Sequence, residues 1–198
     1  MYEIREMLPA DQPAVGSLWR ARVRWAAARG LGPIRYVPLT PAERAAAEPV
    51  VLVGDQRVVA VATVIGQTPR TGWTERESAQ RAVGVVRMVT DPALSADRLS
   101  WILTSWITDF AARTGHDWVR LQVASHHLAQ HLRTTLAWNP VRRVRTADGG
   151  QAYLMQRRAE PIPGIRALVE DQTGPRSPFV IGSDFGAHAG VQHGSCAS

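Results

Sequence analysis

Lysine is absent from this sequence of 198 residues, and all 23 of its basic side chains are arginine. Cysteine is almost absent as well. Cys196 stands alone, which excludes an internal disulfide framework and a cysteine-based zinc site. No apolar run approaches the ~20 residues that a membrane-spanning helix needs, so a transmembrane role is excluded. The opening residues MYEIREMLPADQ carry acids and lack the basic, apolar and small-residue succession of a secretory signal, so the cytoplasm is the expected compartment. There is no internal repeat and no extended low-complexity tract.

What is present suits one globular domain: 45% of residues are hydrophobic and 20% charged, and the length is enough to bury a core. Net charge is +6, and the excess is uneven. From Arg133 to Arg158 there are six arginines (Arg133, Arg142, Arg143, Arg145, Arg157, Arg158) against the single acid Asp148. Guanidinium groups pair bidentately with phosphates and carboxylates, so this stretch permits a polyanion surface. A solvated basic face is the plainer reading, because no aromatic-interleaved single-strand motif accompanies it.

Hydrophobic periodicity orders the chain. A short strand over residues 2–7 leads through Pro9, Asp11 and Pro13 into a helix with the stripe Val15, Leu18, Trp19, Val23 and Ala26, stopped by Gly30 and Gly32. Thr40 and Pro41 start a short second helix, PAERAAAE. Residues 50–53 and 57–65 form a hairpin across Gly54 and Asp55, and 66–81 reads as a long surface loop. The run 82–89 suits a strand buried on both faces. Leu99, Ile102, Leu103, Trp106, Ile107 and Phe110 mark a helix over about 97–114, ended by Gly115. A strand at 118–124, a helix at 126–137 and a hairpin of 141–145 with 151–156 across Asp148 and Gly149 complete the domain. Strands first sequential and then alternating with helices predict a mixed α/β fold, a twisted mixed sheet of six or seven strands flanked by helices over residues 1–158. Residues 159–198 are Pro/Gly-rich, with apolar pieces at 165–169 and 179–181, and read either as a poorly ordered arm or as a segment that docks on the domain or a partner subunit.

The strand, turn and helix spanning residues 85–114 are the unit best suited to hold a ligand. A helix start offers unpaired N–H groups and partial positive charge, and VTDPALSADRLS supplies small residues (Ala93, Ser95, Ala96, Ser100) and the cation Arg98. That composition fits a diphosphate cradle, with a simple capped helix start the plainer reading on spacing alone.

From Tyr2 to Arg158 the element order resembles the GNAT acetyltransferase superfamily, which transfers an acyl group from a coenzyme A thioester. Two segments carry the resemblance. The family's valine, proline and Arg/Gln-x-x-Gly-x-Gly/Ala pattern aligns with Val89, Pro92 and SADRLS, so Ser95, Arg98 and Ser100 stand at its signature positions. The family's Asn-x-x-Ala-x-x-Leu-Tyr-x-Lys-x-Gly-Phe helix aligns without gaps with HHLAQHLRTTLAW. Ala129 and Leu132 match, His126 takes the asparagine place, Arg133 the tyrosine, Thr135 the lysine, and Ala137 with Trp138 the Gly-Phe pair.

The resemblance implies acetyl-CoA as co-substrate, bound by Met88, Val89, Ser95, Ala96, Asp97, Arg98, Leu99, Ser100 and His126. It implies direct attack by a bound amine on the thioester, with backbone N–H groups near Met88 and Val89 supporting the oxyanion. The family's tyrosine protonates the leaving thiolate. Arg133 stays charged and would act there only by electrostatics. Glu75, Glu77, His126 and His127 are the candidate bases, although a solvated loop charge for the glutamates and a polar helix-start residue for the histidines is the plainer reading of each. Trp73 is a candidate wall of the acceptor pocket.

No metal is expected: His127 and His131 are spaced i, i+4, yet no acid or cysteine stands near them. His188, His193 and Cys196 fall in the weakly patterned tail. The acceptor is expected to be a small-molecule or peptide amine, and a homodimer through a sheet edge or the last hairpin is plausible. A GNAT-like module that has lost catalysis and binds partners through its arginine-rich face is the alternative function.

Overall fold

The computed structural model describes residues 1–31, 34, 39–69, 71–146 and 149–173, with backbone alone at 95–97. Gly32, Asp148, the apolar piece 179–181, His188, His193 and Cys196 lie outside the described residues.

Among the described residues eight strands form one sheet: β1 (Tyr2–Glu6), β2 (Glu48–Gly54), β3 (Arg57–Ile65), β4 (Ala82–Thr90), β5 (Trp118–Val123), β6 (Asn139–Arg145), β7 (Gln151–Arg158) and β8 (Val169–Asp171). Their spatial order is β6-β7-β5-β4-β3-β2-β1-β8. The helices are α1 (Gln12–Ala27), α2 (Pro41–Ala45), α3 (Glu75–Ser78), α4 (Leu99–Arg113), α5 (His126–Leu136) and α6 (Ile165–Leu168). Neighbouring strands run antiparallel except β4 with β5 and β1 with β8. The mixed sheet predicted from the sequence is therefore present, with one strand more than expected. That strand is β8, only three residues long and supplied by the segment after residue 159. Three residues are too few to carry a readable alternation.

The core divides between the two faces of the sheet. One face joins alternate residues of β2 to β5 to the inner side of α4 (Leu103, Trp106, Ile107, Phe110) and to α5 (Leu132, Leu136). The other packs Val51, Val61 and Val89 against Leu18 and Trp19 of α1. Val23, expected in the α1 stripe, is 41% exposed, because α1 turns only its Leu18 side to the sheet.

Eleven of the fifteen residues of α4 are buried, more than one apolar stripe accounts for. Its outer side is covered by residues 160–173. Asp109 accepts from the Ile162 N–H (3.2 Å) and pairs with Arg113 (2.9 Å), while Asp171 accepts from Trp106 Nε1 (3.1 Å) and Arg113 (2.9 Å). Ile165 and Val169 are buried in the main core. Among the described residues no helix is long and apolar enough to cross a membrane.

Candidate active site

The site begins with a fault in β4. Opposite the adjacent β3 residues Thr63 and Val64, β4 presents Arg87 and Val85, so Val86 is one residue too many. A bulge of this kind bends the strand and shifts its phase. Val83 and Val85 face the α4 side before it, whereas Met88 faces that side after it and Val89 turns to α1. Pairing of β4 with β5 ends at the same place: Val85↔Leu121 is the last register pair, although β4 continues to Thr90 and β5 to Val123. Residues 87–90 are paired on the β3 side alone, so alternate residues turn N–H and C=O groups into the gap between the parting strands.

A shallow cleft, open to solvent, lies at that fork. Val85, Val86 and Gln122 line it from the strands, Leu39 and Glu43 from the α2 side, and Pro69 and Thr71 from the β3–β4 loop. Among these residues Glu43 alone is ionisable, and it is 3% exposed. Its place is fixed by a capping box: the Thr40 N–H donates to Glu43 Oε2 (2.8 Å) and the Glu43 N–H to Thr40 Oγ1 (3.2 Å). Thr40 and Pro41 form the helix start expected from the sequence, and Glu43 is a site residue that the sequence did not point to. The T-P-A-E spacing signals the box, but nothing local signals that α2 lies against β4.

The β3–β4 loop, expected as a surface loop, contains α3 and is fastened to the far half of the sheet by side chains from β5 and β6. Arg120, 1% exposed, donates to Thr68 Oγ1 (2.7 Å), to the Glu77 carbonyl (2.5 Å) and to Gln80 Oε1, and lies 4.7 Å from the Trp73 ring centroid. Burial lowers the Arg120 pKa from its ordinary value, opposed by the charge of Glu77. Gln122 donates to the Thr71 carbonyl. Arg142 grips Glu77 with both terminal nitrogens (2.8 and 2.6 Å) and donates to the Gly72 carbonyl (3.1 Å). Gly72 has φ +81°, and a Cβ there would stand 2.9 Å from Val144. On Gly84 a Cβ would stand 2.6 Å from the Gln67 carbonyl oxygen, so the loop rests directly on β4.

The residues singled out in the sequence divide three ways. Glu75 is exposed on α3, and Glu77 is held by Arg142, whose hydrogen bonds bring its carboxyl down to about 2. So acidic a group is a poor proton acceptor, and Glu77 acts as a brace. Trp73 is buried against Arg120 and is not among the residues that line this cleft. His126 starts α5, exposed, with its ring 5.6 Å from that of Tyr153, and Arg133 is exposed on the same helix. Met88, Val89 and residues 95–100 gather along the end of β4 and the start of α4.

That last junction is braced from outside. Arg57 pairs with Asp91 (2.9 Å), Arg22 donates to Thr90 Oγ1 (2.9 Å), and Asp91 caps the 3-10 turn Pro92–Asp97 through the Ala93 N–H (2.9 Å). Helix α4 then starts at Leu99, two residues later than the periodicity suggested, with no side-chain cap. Arg98, at the glycine position of the aligned pattern, is left-handed (φ 54°, ψ 35°), and so is Ala137 (φ 56°, ψ 35°) at the glycine position of the second segment. Trp138, in the phenylalanine place, is 1% exposed, and its N–H returns to the Leu132 carbonyl (3.1 Å). Both turns keep a glycine conformation without glycine.

Solved structures share this fold. The ribosomal-protein-S18-alanine N-acetyltransferase from Escherichia coli superposes with TM-score 0.53 at 17% identity, over 82% of this chain and 96% of that one. A GNAT-family acetyltransferase from Listeria monocytogenes gives 0.55 at 12% identity, over 79% and 94%. The chain has the GNAT fold. An N-acyl amino acid synthase from uncultured soil microbes shares it, with TM-score 0.53 at 14% identity, over 85% of this chain and 94% of that one. No protein-family model and no curated protein sequence matches this chain. The GNAT assignment thus rests on backbone shape, and the two left-handed turns fall where the sequence resemblance places the family's glycines.

Proposed function

We propose that the chain is an N-acyltransferase that uses acetyl-CoA to acylate the amine of a small-molecule or peptide acceptor. The observation that carries this reading is the fork between β4 and β5, with an ionisable cleft on one side and an uncapped helix start on the other. The donor suits the residues present. An extended chain bearing amide groups finds unpaired backbone edges along residues 86–90, and a diphosphate finds the N–H groups of residues 98–100 at the start of α4. By name, the Escherichia coli protein of like fold is an N-acetyltransferase of a ribosomal-protein alanine, and the soil protein is an N-acyl amino acid synthase.

When bound, acetyl-CoA supplies an acyl group already activated as a thioester. The chain's task is then to hold, orient and exchange protons. Residues 95–100 and His126 hold the donor, and backbone N–H groups near Met88 and Val89 face its carbonyl. Glu43 receives the proton that the acceptor amine must lose. Arg133 contributes positive charge near the departing sulfur and donates no proton. Juxtaposition of two reactants is worth about 7–11 kcal/mol, so a site without a dedicated acid still catalyses.

Thermal unfolding with acetyl-CoA, against acetate as control, tests the donor site. At ~100 times its dissociation constant the donor stabilises the fold by about 2.7 kcal/mol. A melting temperature unmoved by every acyl-CoA tried overturns the reading and favours the binding-module alternative. Glu43→Gln should abolish thiol release in an amine screen while leaving the acetyl-CoA shift intact. Arg98→Gly sorts the role of Arg98: tighter donor binding marks the side chain as an obstruction, weaker binding as a ligand.

A further inference from the structure

β6 closes one end of the sheet and pairs with β7 alone, so its outer edge carries a row of backbone donors and acceptors with no strand against them among the described residues. None of its seven residues is buried. The inner face of β6 is already engaged, Arg142 by Glu77 and Val144 beneath Gly72. The other face is different. Arg143 and Arg145 stand opposite Tyr153 and Gln151 in register, on the side where Tyr153 meets His126 of α5. Both are exposed, and neither forms a hydrogen bond or ion pair with a described residue; the same holds for Arg133 on α5. Residues 126–146 contain four arginines, three histidines and no acid.

The geometry points to the β6 edge as the docking site for an extended acidic peptide segment, added to the sheet as a ninth strand with its carboxylates meeting Arg143 and Arg145. The spacing supports an extended partner. Two residues apart on a strand, the arginines repeat at about 7 Å, the same-face repeat of an added strand, so acids at alternate positions meet them in turn. A second copy of this chain fits poorly: antiparallel β6–β6 pairing sets arginines against arginines, and like charges directly opposite are destabilising. Nucleic acid would use the charge but leave the backbone edge unmatched. The inference stands on this edge and not on the acyl-transfer reading. Where both hold, the acidic segment runs beside the loop that walls the cleft.

Fluorescence anisotropy on the full chain at low salt tests it, with a labelled peptide of alternating glutamate and threonine, about eight residues long. Three comparators are a lysine–threonine peptide, the acidic peptide N-methylated at alternate amides, and an oligodeoxythymidylate of equal length. The acidic peptide should bind saturably and protect β6 amides from exchange while leaving β8 unchanged. N-methylation and the double substitution Arg143→Glu, Arg145→Glu should each weaken binding about tenfold or more. Equal binding of the N-methylated peptide, tighter binding of the oligonucleotide, or no saturation by about 1 mM overturns the proposal. The exchange measurement uses the unaltered chain, so the proposal stays open to refutation even if the double variant fails to fold.

Discussion

Helix α4 and the β3–β4 loop flank the same fork in the sheet and are held by opposite means. The helix is seated by apolar side chains, with Leu103 wholly buried and Trp106 and Ile107 nearly so, and its outer side is closed by the segment that ends in β8. The loop has little core of its own and is held by Arg120, Gln122 and Arg142 reaching across from other strands. Apolar seating tolerates exchange among residues of like volume. A polar clamp depends on each donor meeting its acceptor, because a buried group left unmatched costs its full desolvation.

The contrast breaks first at Arg120. Arg120→Ala leaves Thr68, the Glu77 carbonyl and Gln80 without their buried donor and opens a cavity, a loss on the order of 3–5 kcal/mol. The melting temperature should fall by ~10 °C, with hydrogen exchange rising first across residues 66–81. A change within about 2 °C means that the loop is held by something else. Leu103→Ala should cost about 3 kcal/mol by cavity formation, yet leave loop exchange tied to global unfolding. If the loop loosened selectively in that variant, the two supports would be one.

Glu77→Gln should cost about 1 kcal/mol near neutrality, since the pair with Arg142 is partly solvated. The Glu77 carboxyl is lowered from 4.5 to about 2 in the fold, so its contribution is complete above about pH 4.5 and is lost as pH falls towards 2. The stability gap between parent and variant should therefore close in acid. A gap of the same size at pH 2 and pH 7 refutes the brace. The smallest effect is a gain: Ala137→Gly relieves a left-handed alanine and should raise the melting temperature by ~2–4 °C, a difference calorimetry resolves.

The same contrast explains what the sequence disclosed. The α4 stripe, the β2–β3 hairpin and the α5 segment were legible because periodicity is local, whereas the left-handed turns at Arg98 and Ala137 fall inside the helices that periodicity draws. The clamp was not legible. Nothing near Arg120 in the chain indicates that its partners lie some 40 to 52 residues away, and Glu77 carries no mark that separates a brace from a base. Glu43 was hidden for the same reason, because its importance comes from what α2 rests on.

The supernumerary Val86 has a consequence for anyone who edits this strand. Deleting Val86 would leave residues 87–90 opposite their present β3 partners and turn the ladder regular, straightening the strand at the fork while the list of amino acids hardly changed. That single excision therefore separates the bend from the side chains around it: the sheet keeps its inside and outside, and only the parting of the two strands is put at stake.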